Sequence, residues 1–538
     1  MKKLAILILS FMLAATLIAC TGGGDGKETT ADDSSNAPSD VTTAPVTDNQ
    51  PPERGPEGEL DPQLTLSDLK TVTVDSSAKH QTMESFGASG AWWAQSIGTC
   101  PTREKIAKYL FDPTEGIGLN SYRYNVGAGS ADEGAKSYGI TDKWRRAESF
   151  ETAPGEYNWK RDKGAVWFMT RAVELGVDEV VMFANSPLER LTINGKAYGE
   201  SGYVTNIAPE NYQAFATYML DVAEHFKSEG IPVKYISPIN EPAFEWAGVQ
   251  EGCHYEDKDI IALLKVFVEE IGKRDGLEGV AISAPEGSSW RNSNSRWEDN
   301  TLATCQKIMR DEVLGKYFTA LDAHSYWSTT DAKKHFASTF KSEFPNVSLR
   351  QTEWCEMKTA AEGQDAIGKI SMPSGLEIAK IIHEDLTILD CTSWSFWTAV
   401  SFGDYGDGLV YCDENGNDVV TSKRMWSLGN YSRFIDRGYT RIDCSSDKIS
   451  GISLSAYEGT NEYGEAEIVI VVINEKAAEH NLNFSGIDAS AYNRISVNVT
   501  DADHDLEETY YAEFLDGTAI TVPGESVVTV VISNRTDA

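Results

Sequence analysis

The chain has 538 residues, enough for two or three domains with sizeable cores. A hydrophobic fraction of 41% and an aromatic fraction of 10% suit a folded body, with abundant Trp (13) and Tyr (22). The formal net charge of −35 argues against binding nucleic acid or an anionic membrane through a basic surface.

Residues 1–20 read as a processing signal rather than as fold. Lys2 and Lys3 form a basic start. Leu4 to Ala19 is almost wholly apolar but short for a spanning helix. Leu17-Ile18-Ala19-Cys20 resembles a bacterial lipobox, so cleavage before Cys20 would leave that thiol lipidated. An ordinary secretory peptide that contains a cysteine is the plainer alternative. Residues 21–61 contain no Phe, Trp or Tyr and are rich in Thr, Ser, Asp, Gly and Pro. Such a stretch buries too little apolar surface to offset its ordering entropy, and is expected to be a disordered linker. A coil of about forty residues spans roughly 35 Å. Together these segments predict an extracytoplasmic protein held at the bacterial cell surface through a lipid anchor only. The other cysteines are Cys100, Cys253, Cys305, Cys355, Cys391, Cys412 and Cys444. Export permits disulfides, but their odd number leaves at least one unpaired, and a mostly reduced set is an equal alternative to two or three bridges. No Cys/His spacing suggests a metal.

From about residue 82 to 430, short apolar runs alternate with longer amphipathic stretches. Eight strands are predicted near 83–88, 119–126, 178–185, 233–240, 278–285, 319–325, 347–353 and 391–397. Helices are predicted at Tyr212–Ser228, Asp259–Arg274 and Gly375–Leu389, among others. Strands alternating with helices imply a parallel sheet. Eight such units point to an α/β fold of the (β/α)8 TIM-barrel type, although a doubly wound sheet has a similar pattern. After Asn430 the helical period largely disappears. Ile449–Tyr457, Glu467–Ile473, Arg494–Val499 and Ser526–Ile532 alternate at period two, the signature of an all-β sandwich domain. The expected division is a barrel over 70–435 and a sandwich over 436–538. Leu69–Val74 also reads as a strand that could join the sandwich.

Barrel sites lie at the C-terminal ends of the strands. In this reading Arg123 ends the second strand and Asn185 the third. Asn240-Glu241 ends the fourth, His324 and Tyr326 the sixth, Glu353 the seventh and Trp397 the eighth. Two glutamates at strand ends are candidates for the carboxyl pair that glycosidic cleavage requires, one donating a proton and one acting as nucleophile or base. Glu356 is a nearby rival to Glu353.

The ordered segments Glu84–Ser89, Gly118–Gly129, Ala184-Asn185-Ser186-Pro187, Asn240-Glu241-Pro242, Thr352-Glu353-Trp354 and Asn430–Ile435 resemble glycoside hydrolase family 30 over about residues 70–538. The resemblance implies that Glu241 is the acid/base and Glu353 the nucleophile of a retaining reaction. The proton on Glu241 would be held by partial burial and the neighbouring carboxylate. It implies that Asn240 bonds the sugar 2-OH, that Arg123 orients Glu353, that Tyr326 or His324 bonds the nucleophile, and that Trp397 floors the cleaved sugar. Asn185 lies in the same matching set. Trp92, Trp93, Trp144 and Trp246 are looser candidates for cleft walls. Acid, base and nucleophile are all side chains, so no metal or organic cofactor is needed. The expected partner is a β-linked polysaccharide or oligosaccharide, with no nucleic acid, and the protein is expected to be a monomer.

Within the family, Tyr122–Gly129 and Arg145–Phe150 are most similar to the endo-β-1,6-galactanase-like branch. Glucuronoxylanase and β-1,6-glucanase activities are alternatives. One departure is Leu188-Glu189-Arg190, where many relatives carry aromatics. A non-catalytic surface glycan-binding lipoprotein is the contrasting reading, against which the presence of both glutamates stands. A scaffold or adhesion module is a further one, against which the polar strand ends stand.

Overall fold

The computed structural model describes residues 69–291, 300–358, 371–403, 405–446, 449–461 and 463–534. The signal, lipidation and linker expectations, Cys20 included, lie outside the described residues.

Eight parallel strands close into a barrel. In chain order they are Ser85–Ser89, Ser121–Asn125, Glu179–Phe183, Val233–Ser237, the paired pieces Ala281–Ile282 and Pro285–Gly287, Ala320–Ala323, Ser348–Gln351 and Cys391–Ser401. The eighth strand pairs with the first, Trp394 opposite Phe86, which closes the ring and excludes the doubly wound alternative. Strands such as Glu179-Val180-Val181-Met182-Phe183 are buried throughout, because helices cover one face and the barrel core the other. The covering helices follow from their spacing. In Asp257–Ile271 the buried residues Ile260, Leu263, Leu264, Phe267 and Ile271 form one stripe, and Asp257 and Asp259 stabilise the first turn. Tyr212–Ser228 is helical over its predicted length, and the third predicted helix runs over Met372–Thr387.

The fifth strand differs from its predicted continuous span. Ala281–Ile282 pairs with the fourth strand and Pro285–Gly287 with the sixth. The break falls at Ser283-Ala284, just before Pro285, which has no N–H to give to a ladder.

The second sheet has nine strands. Lys70–Thr82 lies within it, antiparallel to Thr440–Ser446 and parallel to His480–Ser485. Val72, Ile470, Leu482, Val497, Ile520 and Val528 belong to its own apolar core, separate from that of the barrel, and the sheet forms the all-β sandwich. Helix Lys423–Ser432 ties the two layers together. The buried Asn430 donates to Thr500 Oγ1 at 2.6 Å, and Thr529 Oγ1 donates to the Asn430 carbonyl at 2.6 Å. The seven cysteines of the described residues are free thiols, five of them buried.

Candidate active site

The strand ends bring seven of the eight sequence-predicted barrel residues into one hydrogen-bonded cluster. Arg123 is 2% exposed and ties three strands together. Its Nη1 donates to Glu353 Oε2 at 2.5 Å, and its Nη2 donates to Asn240 Oδ1 at 3.0 Å. The guanidinium plane lies 3.9 Å over the Phe183 ring, which excludes water from one side. Asn240 passes the chain on: its Nδ2 donates to Asn185 Oδ1 at 3.1 Å, and Asn185 Nδ2 donates to Asn125 Oδ1 at 3.1 Å. The Asn240 amide is therefore fixed in orientation from both ends.

Tyr326 donates its hydroxyl to Glu353 Oε1 at 3.0 Å. His324 Nδ1 lies 3.1 Å from Glu241 Oε1 and 3.5 Å from Glu353 Oε1, so the sequence alternatives divide: tyrosine bonds Glu353 and histidine bonds Glu241 most closely. Burial works against a charge on His324. The negative charge of Glu353 and hydrogen bonds to Glu241 and Glu286 outweigh it, and the imidazole is pushed up to about 10. An imidazolium has two N–H donors and here finds two carboxylate acceptors.

The second acceptor is Glu286, which the sequence reading does not name. It is fully buried. His324 Nε2 bonds its Oε2 at 3.1 Å, and Thr352 Oγ1 donates to the same oxygen. Ser237 and Ser283 donate to Oε1 at 3.0 and 2.9 Å, and Arg123 lies 3.5 Å away. Burial raises this carboxyl, but Arg123, His324 and the hydrogen bonds overcome it and hold the group well below the usual carboxylate range. The available signal was Pro285-Glu286-Gly287 following an apolar run at a predicted strand end. Glu356, the rival, is bound elsewhere, to Arg424 at 2.8 Å and Lys358 at 3.0 Å.

Glu241 and Glu286 both adopt left-handed backbone, φ 44° and 57°. For residues with a Cβ this costs roughly 1–2 kcal/mol each, and at Glu241 the following proline further disfavours helical geometry. The Glu241 N–H donates to the Glu286 carbonyl at 2.9 Å, and Trp246 Nε1 donates to the Glu241 carbonyl at 3.1 Å. These bonds hold the strained turn in place.

Donor atoms of Glu241, His324 and Glu353 all lie within 4.8 Å of one another. That spacing suits a cation, but a positive charge is already in place. Arg123 contacts Glu353 directly, and an imidazolium Nδ1 that donates a proton has no lone pair for a metal. Trp397, the eighth predicted residue, stands beside this cluster rather than in it. Its ring meets Trp92 edge-on at 5.1 Å and Phe183 at 6.4 Å, forming an aromatic wall. Of the looser candidates, Trp93 packs on Phe168 in the core and Trp144 on Phe402. In the departing run, Glu189 accepts from the backbone of Lys136 and Ser137, and Arg190 pairs with Glu151, so both charges anchor loops.

A closed (β/α)8 barrel with buried, oppositely supported carboxylates at its C-terminal mouth is the architecture of many carbohydrate-cleaving enzymes. Residues 69–411 match the model of O-glycosyl hydrolase family 30, and the chain belongs to that family of glycosidases. It is 26% identical over 438 residues to an endo-β-1,6-galactanase of Hypocrea rufa, covering 76% of this chain and 82% of that protein. It is 25% identical over 334 residues to the glucuronoxylanase XynC of Bacillus subtilis strain 168, covering 60% and 66%. A crystal structure of a conserved exported protein from Bacteroides fragilis superposes with a TM-score of 0.75 at 25% identity, over 86% of this chain and 100% of that one. The catalytic domain of a family 30 xylanase C from Talaromyces cellulolyticus shares the fold, with a TM-score of 0.66 at 22% identity over 86% and 99%.

Proposed function

We propose that the protein is a retaining endo-β-1,6-galactanase that works by double displacement. The observation that carries the mechanism is the reach of Glu241 and Glu353, whose nearest carboxylate oxygens lie within 4.8 Å. Retaining enzymes hold their carboxyls roughly 5–5.5 Å apart, whereas inverting enzymes need roughly 6.5–9.5 Å to fit a water.

In the first step Glu353 attacks the anomeric carbon while the proton of Glu241 passes to the glycosidic oxygen. The bond to the leaving sugar breaks and a glycosyl ester forms on Glu353. In the second step the Glu241 carboxylate takes a proton from water, the water oxygen attacks the anomeric carbon, and the ester breaks with the β configuration restored. Arg123 and Tyr326 each hold one oxygen of Glu353. Asn240, fixed by Asn185, is placed to bond the sugar 2-OH, and Trp397 supplies the floor. Arg123 and His324 bring two positive charges to three carboxyl groups, so the cluster is neutral with one proton, and the acid role of Glu241 requires that proton on its carboxyl.

The galactan choice is supported by the match to the Hypocrea rufa enzyme across most of both chains. Glucuronoxylan is the second reading, supported by the match to XynC. The lipobox-like segment ending at Cys20, together with the likeness to an exported protein, supports a lipid-anchored position outside the cytoplasm. The test is release of reducing ends from debranched arabinogalactan, glucuronoxylan and β-1,6-glucan, with the first anomer followed by NMR. Galactan cleavage giving β product first is expected. An α product sinks the retaining mechanism, and cleavage of xylan without galactan overturns the substrate.

A further inference from the structure

An open cleft of about 530 Å³ lies between the loops after the first and second barrel strands. Its charged lining is Lys143, Arg146, Lys160, Arg161 and Lys163, against the acids Glu148 and Asp162. Five cations to two acids reverses the balance of a chain with 47 Lys plus Arg and 82 Asp plus Glu. Two of the cations are occupied. Arg161 pairs with Asp132 at 3.1 Å and donates to the Ser149 and Glu151 carbonyls, and Lys143 reaches Glu414 at 3.4 Å. Arg146 donates its Nε to the Ile140 carbonyl at 2.7 Å, and among the described residues neither it nor Lys160 nor Lys163 has a carboxylate partner. Glu148 is engaged, accepting from the Asp162 N–H at 2.7 Å, and the buried Asp162 accepts from the Tyr124 hydroxyl at 2.6 Å.

The cations also crowd the wrong end of a helix. Lys163 opens the helix Lys163–Glu174, whose first turn contains no acid. Lys160, Arg161 and Lys163 thus crowd its positive pole, where the acids are Asp162 at the N-cap and Glu148, which accepts the Asp162 N–H. An anion seated among them relieves both repulsions.

The cleft shares a wall with the catalytic centre. In Lys143-Trp144-Arg145-Arg146, the outer two residues line the cleft and Arg145 between them faces Trp92 of the aromatic wall. Trp144 packs on Phe402 at 4.9 Å, and Arg145 lies 5.1 Å over Trp92, which meets Trp397. Gln95 Nε2 clamps the segment, donating to the carbonyls of Trp144 and Arg146 at 3.1 and 2.6 Å. A glycan on Trp397 and Trp92 that follows this segment would bring a neighbouring sugar or branch to the cations.

We propose that this cleft is a subsite for the carboxylate of an acidic sugar, a uronic acid unit carried by the polysaccharide. The inference rests on the polysaccharide-hydrolase reading above and deepens it. The full chain is assayed on β-1,6-galactan oligosaccharides ending in glucuronic acid and on the same oligosaccharides after carboxyl reduction. Binding of each is measured by calorimetry to the Glu353→Gln variant. The acidic form is expected to have about a tenfold advantage in kcat/KM and in affinity, the scale of one or two hydrogen bonds to a charged group. The advantage shrinks as salt is raised, and falls to about one when Arg146→Ala, Lys160→Ala and Lys163→Ala are combined. Lys160→Ala with Lys163→Ala, both exposed, serves if the triple variant does not fold. Equal constants for both substrates overturn the proposal, as does an advantage that survives the substitutions. If galactan is not cut and glucuronoxylan is, the galactan reading fails, and glucuronoxylan with and without its carboxylates decides the cleft by the same ratio. Absence of binding by the acidic form of either glycan also overturns it.

Discussion

Replacing Glu286 by glutamine removes one negative charge and keeps the shape of the side chain. The amide oxygen can accept from His324 Nε2 and Thr352 as the carboxylate does, and the amide nitrogen then faces Ser237 and Ser283. Ser283 has Asp322 Oδ2 as an alternative acceptor at 2.6 Å, so its one proton can turn there and leave its oxygen free to accept. The fold should therefore survive, and the change falls on His324. Two unit charges at about 4 Å interact by about 4 kcal/mol at an effective dielectric constant of 20. That is roughly 3 pH units. An imidazole now pushed up to about 10 would then titrate close to neutrality. Once it loses a proton it can donate to only one of its two partners, Glu241 and the new amide oxygen, and its charge no longer braces the Glu241–Glu353 pair. In Glu286→Gln, kcat should fall about tenfold to a hundredfold at pH 8 and recover towards pH 6, with KM moving little. A histidine signal followed by NMR should titrate in the same range in the variant and stay charged through neutrality in the parent. A pH–activity profile that keeps its parental alkaline limb, with stability unchanged, would refute the reasoning.

The remaining expectations test other parts of the site and fold. Glu241→Gln should lose roughly 10²–10⁴-fold in kcat on natural glycans and much less on aryl glycosides whose leaving groups need no proton. A loss equal on both substrate types, measured by steady-state kinetics, would contradict the acid role. Asp162, Glu251 and Glu467 are each pushed up to about 7, chiefly by burial. A raised acid contributes stability that is present below its unfolded value near 4 and is lost as pH rises through 7, by as much as about 3–4 kcal/mol per group. Tm should therefore be higher at pH 5 than at pH 8; the reverse order would show that these acids do not dominate the pH response. Asn430→Ala should cost about 1–3 kcal/mol by removing the amide that donates to the buried Thr500 hydroxyl, while Thr529 keeps its bond to the main-chain carbonyl; the loss is read as a lowered denaturation midpoint for the whole body.

The barrel was legible because each strand writes its own burial. A parallel strand covered on both faces must be apolar along its length, so runs such as Val180–Phe183 stand out between amphipathic helices, and strand counting then locates the strand ends other than the fifth. Closure of the ring was not legible. It depends on Cys391–Ser401 finding Ser85–Ser89 across the whole barrel, and no local pattern distinguishes that from an open sheet. The place of Lys70–Thr82 between two C-terminal strands is likewise a long-range pairing that its own sequence only permits.

Glu286 shows why a site is harder to read than a fold. Glu241 and Glu353 stand out because a carboxylate directly after an apolar strand has an obvious chemical use. Glu286 occupies the same kind of position on the fifth strand. In sequence, however, the apolar run is interrupted by Pro285, and the strand end blurs into a turn. The function of Glu286 also does not lie in its own reactivity. It lies in what it does to His324, 38 residues away in sequence, and through His324 to Glu241. Three carboxylates packed around one imidazole and one guanidinium is a charge arrangement that no single strand encodes. It exists only because strands two, four, five, six and seven deliver one group each to the same buried volume. A pair of glutamates is thus enough to suggest glycoside chemistry, but the protonation that makes the pair work is a property of the whole ring of strand ends.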